Sequence, residues 1–190
     1  FAKNGLYFVK FNFSHNGTSL DNPSDFADLE SFASNNYSKE LSDLNFVIEH
    51  FSKDNRVDAE HITLIGHSRG GGISIISASE NSKIKNLITL ASVDTLNRFP
   101  IGEKLEEWKN QGVYYNYNSR TKQQMPHDIQ FLEDYLANEQ RFSVEKAAKN
   151  FKGNFLIIHG SEDEAVPYSA AENLHSWSGN SELILVEKGN

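Results

Sequence analysis

The sequence predicts an α/β fold with a mostly parallel sheet flanked by helices. Three observations carry this. Short apolar segments of strand length recur along the chain, helix-spaced apolar residues fall between them, and one strand ends in a glycine-bounded turn that opens a helix.

Residues 6–13, LYFVKFNF, are aromatic and β-branched and run into the turn-rich SHNGTS, which predicts a strand ending in a loop. A polar excursion follows from Leu20 to Asn36. Tyr37, Leu41, Leu44, Ile48 and Phe51 then recur at intervals of three and four residues and give a helix one apolar face. HITLIG at 61–66 predicts a strand, and the stretch from there to about Ser79 a helix. NLITLA at 86–91, NFLIIHG at 154–160 and ELILVE at 182–187 repeat the buried-strand signature, with helices predicted at 128–138 and 168–177. Because strands alternate with helices, the sheet is expected to be covered on both faces.

About sixty residues separate the strand ending near Ala91 from the one starting near Asn154. Connections in such folds are usually only ~2–6 residues, so this stretch should carry its own structure. It holds Trp108, Tyr114, Tyr115, Tyr117, Phe131 and Tyr135 and predicts a helical insertion or lid over 95–150, within one domain spanning 1–190. Trp108, Tyr114, Tyr115 and Phe131 are candidates to line a substrate pocket; the alternative is that these rings pack a small core of their own.

Composition narrows the function. The chain of 190 residues is 38% apolar, enough for one globular domain with a real core. Its net charge is −8 and its 18 Lys and Arg residues are scattered, so nucleic acid and anionic membranes are not expected partners. With no cysteine, thiol catalysis, thiolate metal sites and disulfides are excluded. No apolar run is long enough to cross a bilayer, and FAKNGLYFVKF lacks the order of a signal peptide. The sequence leaves the compartment open, with the cytoplasm favoured, and says nothing of oligomeric state. No H-x-x-x-H or H-E-x-x-H spacing occurs, so no metal and no cofactor are expected. Asn12, Asn16 and Asn36 begin glycosylation triplets, a pattern that arises often by chance.

The chemistry centres on Gly66-His67-Ser68-Arg69-Gly70, a match to G-x-S-x-G between a strand and a helix. Such a turn lifts a serine oxygen above the sheet, and glycines let the flanking backbones approach closely. Ser68 is the candidate nucleophile, and the backbone N–H of Arg69 at the helix N-terminus the candidate oxyanion donor. His67, at the variable position, is a candidate pocket residue. The alternative is a glycine-rich turn in which Ser68 merely caps the helix.

A second motif, LIIHGSEDEAVP at 156–167, is an apolar strand followed by an acidic loop. Together the two motifs resemble the α/β-hydrolase family, particularly its esterase, dienelactone-hydrolase and serine-peptidase branches. In that family H-G-x-x-D-x-x-V-P supplies the triad acid, and His159, Gly160, Asp163, Val166 and Pro167 match it. The resemblance covers essentially the whole chain. It implies that Asp163 orients a histidine base, with a solvated loop carboxylate beside Glu162 and Glu164 as the alternative, and Asp94 as the reserve acid. The family order of serine, acid, histidine puts the base after Asp163. His175 follows it but sits in a helical run, so the base is expected just beyond Asn190. No H-G loop precedes Ser68 to give the second oxyanion donor, although Asn16-Gly17 follows what reads as a neighbouring strand. The sequence thus resembles a partial α/β-hydrolase fold, truncated at both ends.

The implied activity is cleavage of a small carboxylic ester through an acyl-enzyme at Ser68. A peptidase or amidase acting on a short peptide uses the same triad, and a non-catalytic binding protein or inactive fragment could keep the same scaffold. Arg98, Arg120 and Arg141 could bind a substrate carboxylate, and His15 and His127 could contact substrate; solvation and structural roles are their alternatives.

Overall fold

A computed structural model of the chain describes residues 1–16, 18, 19, 21 and 26–190. Gly17 of the Asn16-Gly17 pair, and Leu20 at the start of the excursion, lie outside the described residues. The chain divides into two compact units, one formed by Phe1–Ile48 with Arg98–Asn138 and the other by Glu49–Asn97 with Glu139–Asn190.

The second unit holds the parallel sheet. Its strands are β1 (Ile62–His67), β2 (Ile84–Leu90), β5 (Asn154–Gly160) and β6 (Ser181–Val186), in spatial order β1-β2-β5-β6 and all parallel. Each is one of the predicted apolar runs, within two residues at either end. The crossovers carry α3 (Arg69–Glu80), α6 (Val144–Asn150) and α7 (Ser169–Trp177). Parallel strands need such long returns, and the helices bury one face of the sheet. That face presents Leu64, Leu87, Phe155 and Ile157, all buried, and α3 and α7, which pack on the strands, bury Ile73, Ile76 and Leu174. The register sets His67, Leu90, Ile158 and Ile184 in one row across the sheet, at the carboxyl ends of the strands. On the face away from the buried row, Ile65, Leu90 and Ile184 keep exposed surface.

The first unit holds α1 (Leu29–Ala33), most of α2 (Tyr37–Phe51), α4 (Glu103–Gln111), an antiparallel hairpin of β3 (Val113–Asn118) and β4 (Gln123–Asp128), and α5 (Gln130–Ala137). The expectation of a helical insertion over 95–150 is corrected in two ways. Its centre is a β-hairpin, because the tyrosine-rich VYYNYN favours an extended chain and pairs in register with QQMPHD. Its last part, α6, packs against α3 in the other unit, so the insertion does not end where 95–150 places it.

The predicted strand at 6–13 is also corrected. These residues carry no strand and are flanked by single 3₁₀ turns at Ala2–Asn4 and Ser14–Asn16. Aromatic composition suits a strand, but a strand exists only as part of a ladder, and no strand pairs with this segment among the described residues. Leu6 and Phe8 are accordingly more than half exposed.

The aromatic residues of the first unit pack on one another. Tyr37 meets Phe131 edge-on at 4.7 Å, Phe99 lies 5.6 Å from Phe131 and 5.9 Å from Trp108, and Trp108 Nε1–H donates to the His127 carbonyl at 2.9 Å. Polar side chains join the helices: Asn36 Nδ2 donates to Gln130 Oε1 at 2.6 Å and Gln130 Nε2 to the Asn35 carbonyl at 2.8 Å. Asn36 Oδ1 also accepts from Lys39 N at 2.9 Å and so satisfies one of the first amides of α2. With its amide buried and bonded, the Asn36 triplet is a helix start and not an accessible glycan acceptor.

Candidate active site

Ser68 stands between β1 and α3 with φ 53° and ψ −125°, a conformation that costs a non-glycine residue about 1–3 kcal/mol. β2 and the turn after it hold it there. Ser68 N–H donates to the Leu90 carbonyl at 3.0 Å, and its own carbonyl accepts from Gly71 N at 2.9 Å and Val93 N at 3.3 Å. Its side chain makes no capping hydrogen bond, which removes the alternative in which the serine serves only as a helix cap. The residue is half-buried, Arg69 is the first residue of α3, and His67 is exposed. First-turn amides of a helix have no intrahelical acceptor, so position 69 suits an oxyanion donor.

The glycines divide in a way that the motif does not show. A Cβ on Gly66 would lie 2.6 Å from the Gly70 carbonyl oxygen and from Ser74 Oγ, and a Cβ on Gly71 would lie 2.3 Å from Ser92 Oγ. Both positions are closed to a side chain. A Cβ on Gly70 would meet nothing within 4 Å, so the final glycine of G-x-S-x-G is not required by contact here. The partner of Gly71 is the small-residue turn Ala91-Ser92-Val93 after β2, where Ala91 has φ 46° and its N–H donates to the Ile158 carbonyl at 2.9 Å. Sequence reasoning allows close packing at Gly71 but missed its partner; the run of small residues in LASVD was the available signal.

Asp163 lies in the loop between β5 and α7. Its side chain is 9% exposed, whereas Glu162 and Glu164 are exposed, which separates it from the solvated acidic run. Oδ1 accepts from Val166 N and Ala165 N, each at 2.9 Å, while Oδ2 accepts no hydrogen bond among the described residues and lies 3.8 Å from His159 Nε2. The Val166 N–H holds the carboxyl below its ordinary range, helped by the Ala165 N–H and the fields of His159 and His67, against partial burial, which pushes it up. One oxygen is committed to the loop, and the other is left for a donor from elsewhere.

The reserve acid, Asp94, accepts from Asn173 Nδ2 of α7 at 2.7 Å and is tied there. His175 Nδ1 pairs with Ser181 Oγ at 2.8 Å on an exposed helix, as its helical run suggested. His15 pairs with Ser14 Oγ, His61 with Asp58, and His127 packs against Phe32 and Phe131. Of the expected pocket residues, Trp108 and Phe131 are 2% and 4% exposed and belong to the core of the first unit. Fully enclosed rings leave no face for a substrate, so for these two the alternative of a local core holds. Tyr114 is half-buried and Tyr115 exposed on the hairpin. Arg141 forms a two-bond ion pair with Glu80 instead of facing a substrate. Among the described residues no three His, Asp or Glu side chains gather as metal ligands, and no helix is long and apolar enough to cross a membrane.

The residues after β6 fold back onto the acid loop. Glu162 N–H donates to the Gly189 carbonyl at 2.9 Å, Lys188 N–H to Ser161 Oγ at 2.8 Å, and Ser161 N–H to the Val186 carbonyl at 3.0 Å. A Cβ on Gly160 would lie 2.2 Å from the Gly189 carbonyl oxygen, so the two segments touch backbone to backbone.

Residues 24–177 match the sequence profile of the prolyl oligopeptidase family. No curated protein matches at a significant level. Among solved structures, the chain is similar to Est1E from Butyrivibrio proteoclasticus with ferulic acid bound, at 22% identity and TM-score 0.65, covering 83% of this chain and 61% of that one. It is also similar to a monoacylglycerol lipase from Paleococcus ferrophilus, at 15% identity and TM-score 0.60, covering 80% of this chain and 66% of that one. An esterase domain from Rhodothermus marinus gives 16% identity and TM-score 0.55, over 83% of this chain and 60% of that one. The chain spans between 60% and 66% of the length of these structures. The fold they share with it is that of the α/β hydrolases.

Proposed function

This chain belongs to the prolyl oligopeptidase family, and on that premise we propose that it is a serine hydrolase, or the greater part of one, acting through an acyl-enzyme at Ser68. The observation that carries the reading is the Ser68 backbone at φ 53°, pinned to Leu90 and Val93, with a side chain that caps nothing. Strain kept at a half-buried serine at the end of a strand supports the reading of Ser68 as a nucleophile.

In the proposed reaction Ser68 Oγ attacks the carbonyl carbon of the substrate as a histidine takes its proton. The negative charge that develops on the carbonyl oxygen is met by the Arg69 N–H. The tetrahedral species collapses, the histidine returns the proton to the leaving oxygen, and water repeats the sequence in reverse to release the acid. Asp163 Oδ2 accepts the Nδ1–H of that histidine and stabilises the imidazolium. The base is proposed on the segment following β6, just beyond Asn190. The hydrogen bonds from Ser161 and Glu162 to Val186 and Gly189 support this, because they bring that segment beside the Asp163 loop. His67, exposed next to Ser68, is proposed to border the substrate.

Carboxylic esters are the proposed substrates, in keeping with the esterases and lipase among the structural neighbours. The family match favours a second reading, peptide-bond cleavage by the same groups. Labelling of the native protein with a fluorophosphonate, followed by peptide mapping across 64–72, tests the common part. An adduct on Ser68 is expected, and labelling that persists undiminished in Ser68→Ala would overturn it. Parallel assays on p-nitrophenyl esters and on short peptide anilides separate the two substrate classes; faster anilide turnover would replace the ester reading.

A further inference from the structure

We propose that His159 is a positioning residue for the acid: its imidazole, fixed in the Nε2–H tautomer by Val166, clamps the loop whose shape aims Asp163. The inference deepens the reading of Asp163 given above and rests on it.

His159 is the penultimate residue of β5 and is 1% exposed. Its Nε2 lies 2.9 Å from the Val166 carbonyl oxygen, seven residues along the chain. A carbonyl only accepts, so the proton is on Nε2. Nδ1 is buried without a hydrogen-bond partner. Buried polar atoms are nearly always paired, and one that is not calls for an explanation. Space filling is not the explanation, since a methionine would occupy a similar volume without an orphaned nitrogen. The ring is retained for what its other nitrogen does.

That nitrogen grips one side of Val166 while Asp163 grips the other. The Val166 carbonyl accepts from His159, and the Val166 N–H donates to Asp163 Oδ1 at 2.9 Å. Val166 is 3% exposed, so water does not compete readily for either bond. A rotation of the loop that breaks one bond misaligns the other and swings Oδ2. At 3.8 Å the ring is too far from Oδ2 to hydrogen-bond it. His159 therefore braces the carboxylate without occupying the oxygen that the base needs. The same geometry excludes His159 as the base, because its proton-bearing nitrogen is turned to the backbone.

The test compares His159→Met, which removes the donor, with His159→Gln, whose amide places an N–H near the Nε2 position. In the native protein, Met should lower kcat on the order of a hundredfold with KM little changed, as expected for a misaimed catalytic group. It should also speed hydrogen exchange at the Ala165 and Val166 amides and bring the Asp163 titration up toward the ordinary range. Gln should restore most of each. Equal behaviour of Met and Gln, or a loss confined to KM, would overturn the proposal. Should His159→Met fail to fold, nitrogen NMR of the unsubstituted protein still decides, since an Nε2 without a proton refutes the clamp. Failure of the hydrolase reading is distinguishable: catalysis would be insensitive to Ser68→Ala while the tautomer and exchange results stood unchanged.

Discussion

The turn after β1 and the loop after β5 each present one side chain proposed to take part in catalysis, and they hold it by opposite means. Ser68 is held by close packing: two glycines admit backbone and Ser92 where no Cβ fits, and the serine takes a φ of 53° as a result. Asp163 is held by hydrogen bonds: two amides on Oδ1 and a histidine behind Val166, with no positive φ in the loop. Steric restraint tolerates almost no added volume but does not depend on pH. A hydrogen-bonded restraint tolerates isosteres and is sensitive to protonation. The difference teaches where each site will fail.

The largest effects fall on activity. Ser68→Ala should lower turnover on the order of a millionfold while folding is retained, since alanine inherits the same backbone. Asp163→Asn should lower kcat on the order of ten-thousandfold through the wrong histidine tautomer, with the loop intact because Asn Oδ1 can accept the same two amides. Steady-state kinetics on the native protein checks both; an Asp163→Asn enzyme near normal rate would return Asp94 to consideration.

Effects on stability come next and sharpen the contrast between glycines. Gly71→Ala should cost about 1–3 kcal/mol by driving a methyl into Ser92, and Ser92→Gly should recover part of that. Gly70→Ala, meeting nothing within 4 Å inside α3, should be neutral or stabilising by about 0.5–1 kcal/mol. Denaturant unfolding of the three variants would break the steric account if Gly70 and Gly71 proved equally sensitive.

The smallest effect is the pH dependence of the acid loop. Asp163 is held below its ordinary value in the folded chain, so it binds protons less readily there than when unfolded. Its contribution is complete above the unfolded value of about 3.9 and is lost as pH falls through the folded value. Acid unfolding followed by circular dichroism should therefore be shallower in Asp163→Asn than in the unsubstituted chain. An unchanged acid limb would mean that the amide bonds to Oδ1 are not what lowers this group.

The placement of Ser68 on a strand-to-helix turn and of Asp163 in a loop after a strand was legible in the sequence because their supports are neighbours along the chain: a strand, a glycine, a serine and a helix in one case, a strand and the D-x-x-V loop in the other. The brace from Ala91-Ser92-Val93 was not, because its contact with Gly71 joins residues about twenty positions apart and leaves no local pattern. For the same reason the motif does not rank its glycines, whereas the structure presses Gly71 against Ser92 and leaves Gly70 open. His159 was visible as a motif letter, but its task is defined by a carbonyl seven residues on.

Local apolar pattern by itself determined the four parallel strands and the helices α2, α3, α5 and α7, since each carries its own period and its own boundaries. Tertiary structure alone decided the fate of segments whose composition allows more than one outcome. Residues 6–13 read as a strand and form none, because the ladder that would satisfy their backbone must come from another segment. The aromatic stretch allowed either a pocket wall or a core of its own, and Trp108 and Phe131 are enclosed in a core. A side chain's chemistry is written in the sequence, but whether that side chain faces a substrate, a strand or another ring depends on what the remainder of the chain brings against it.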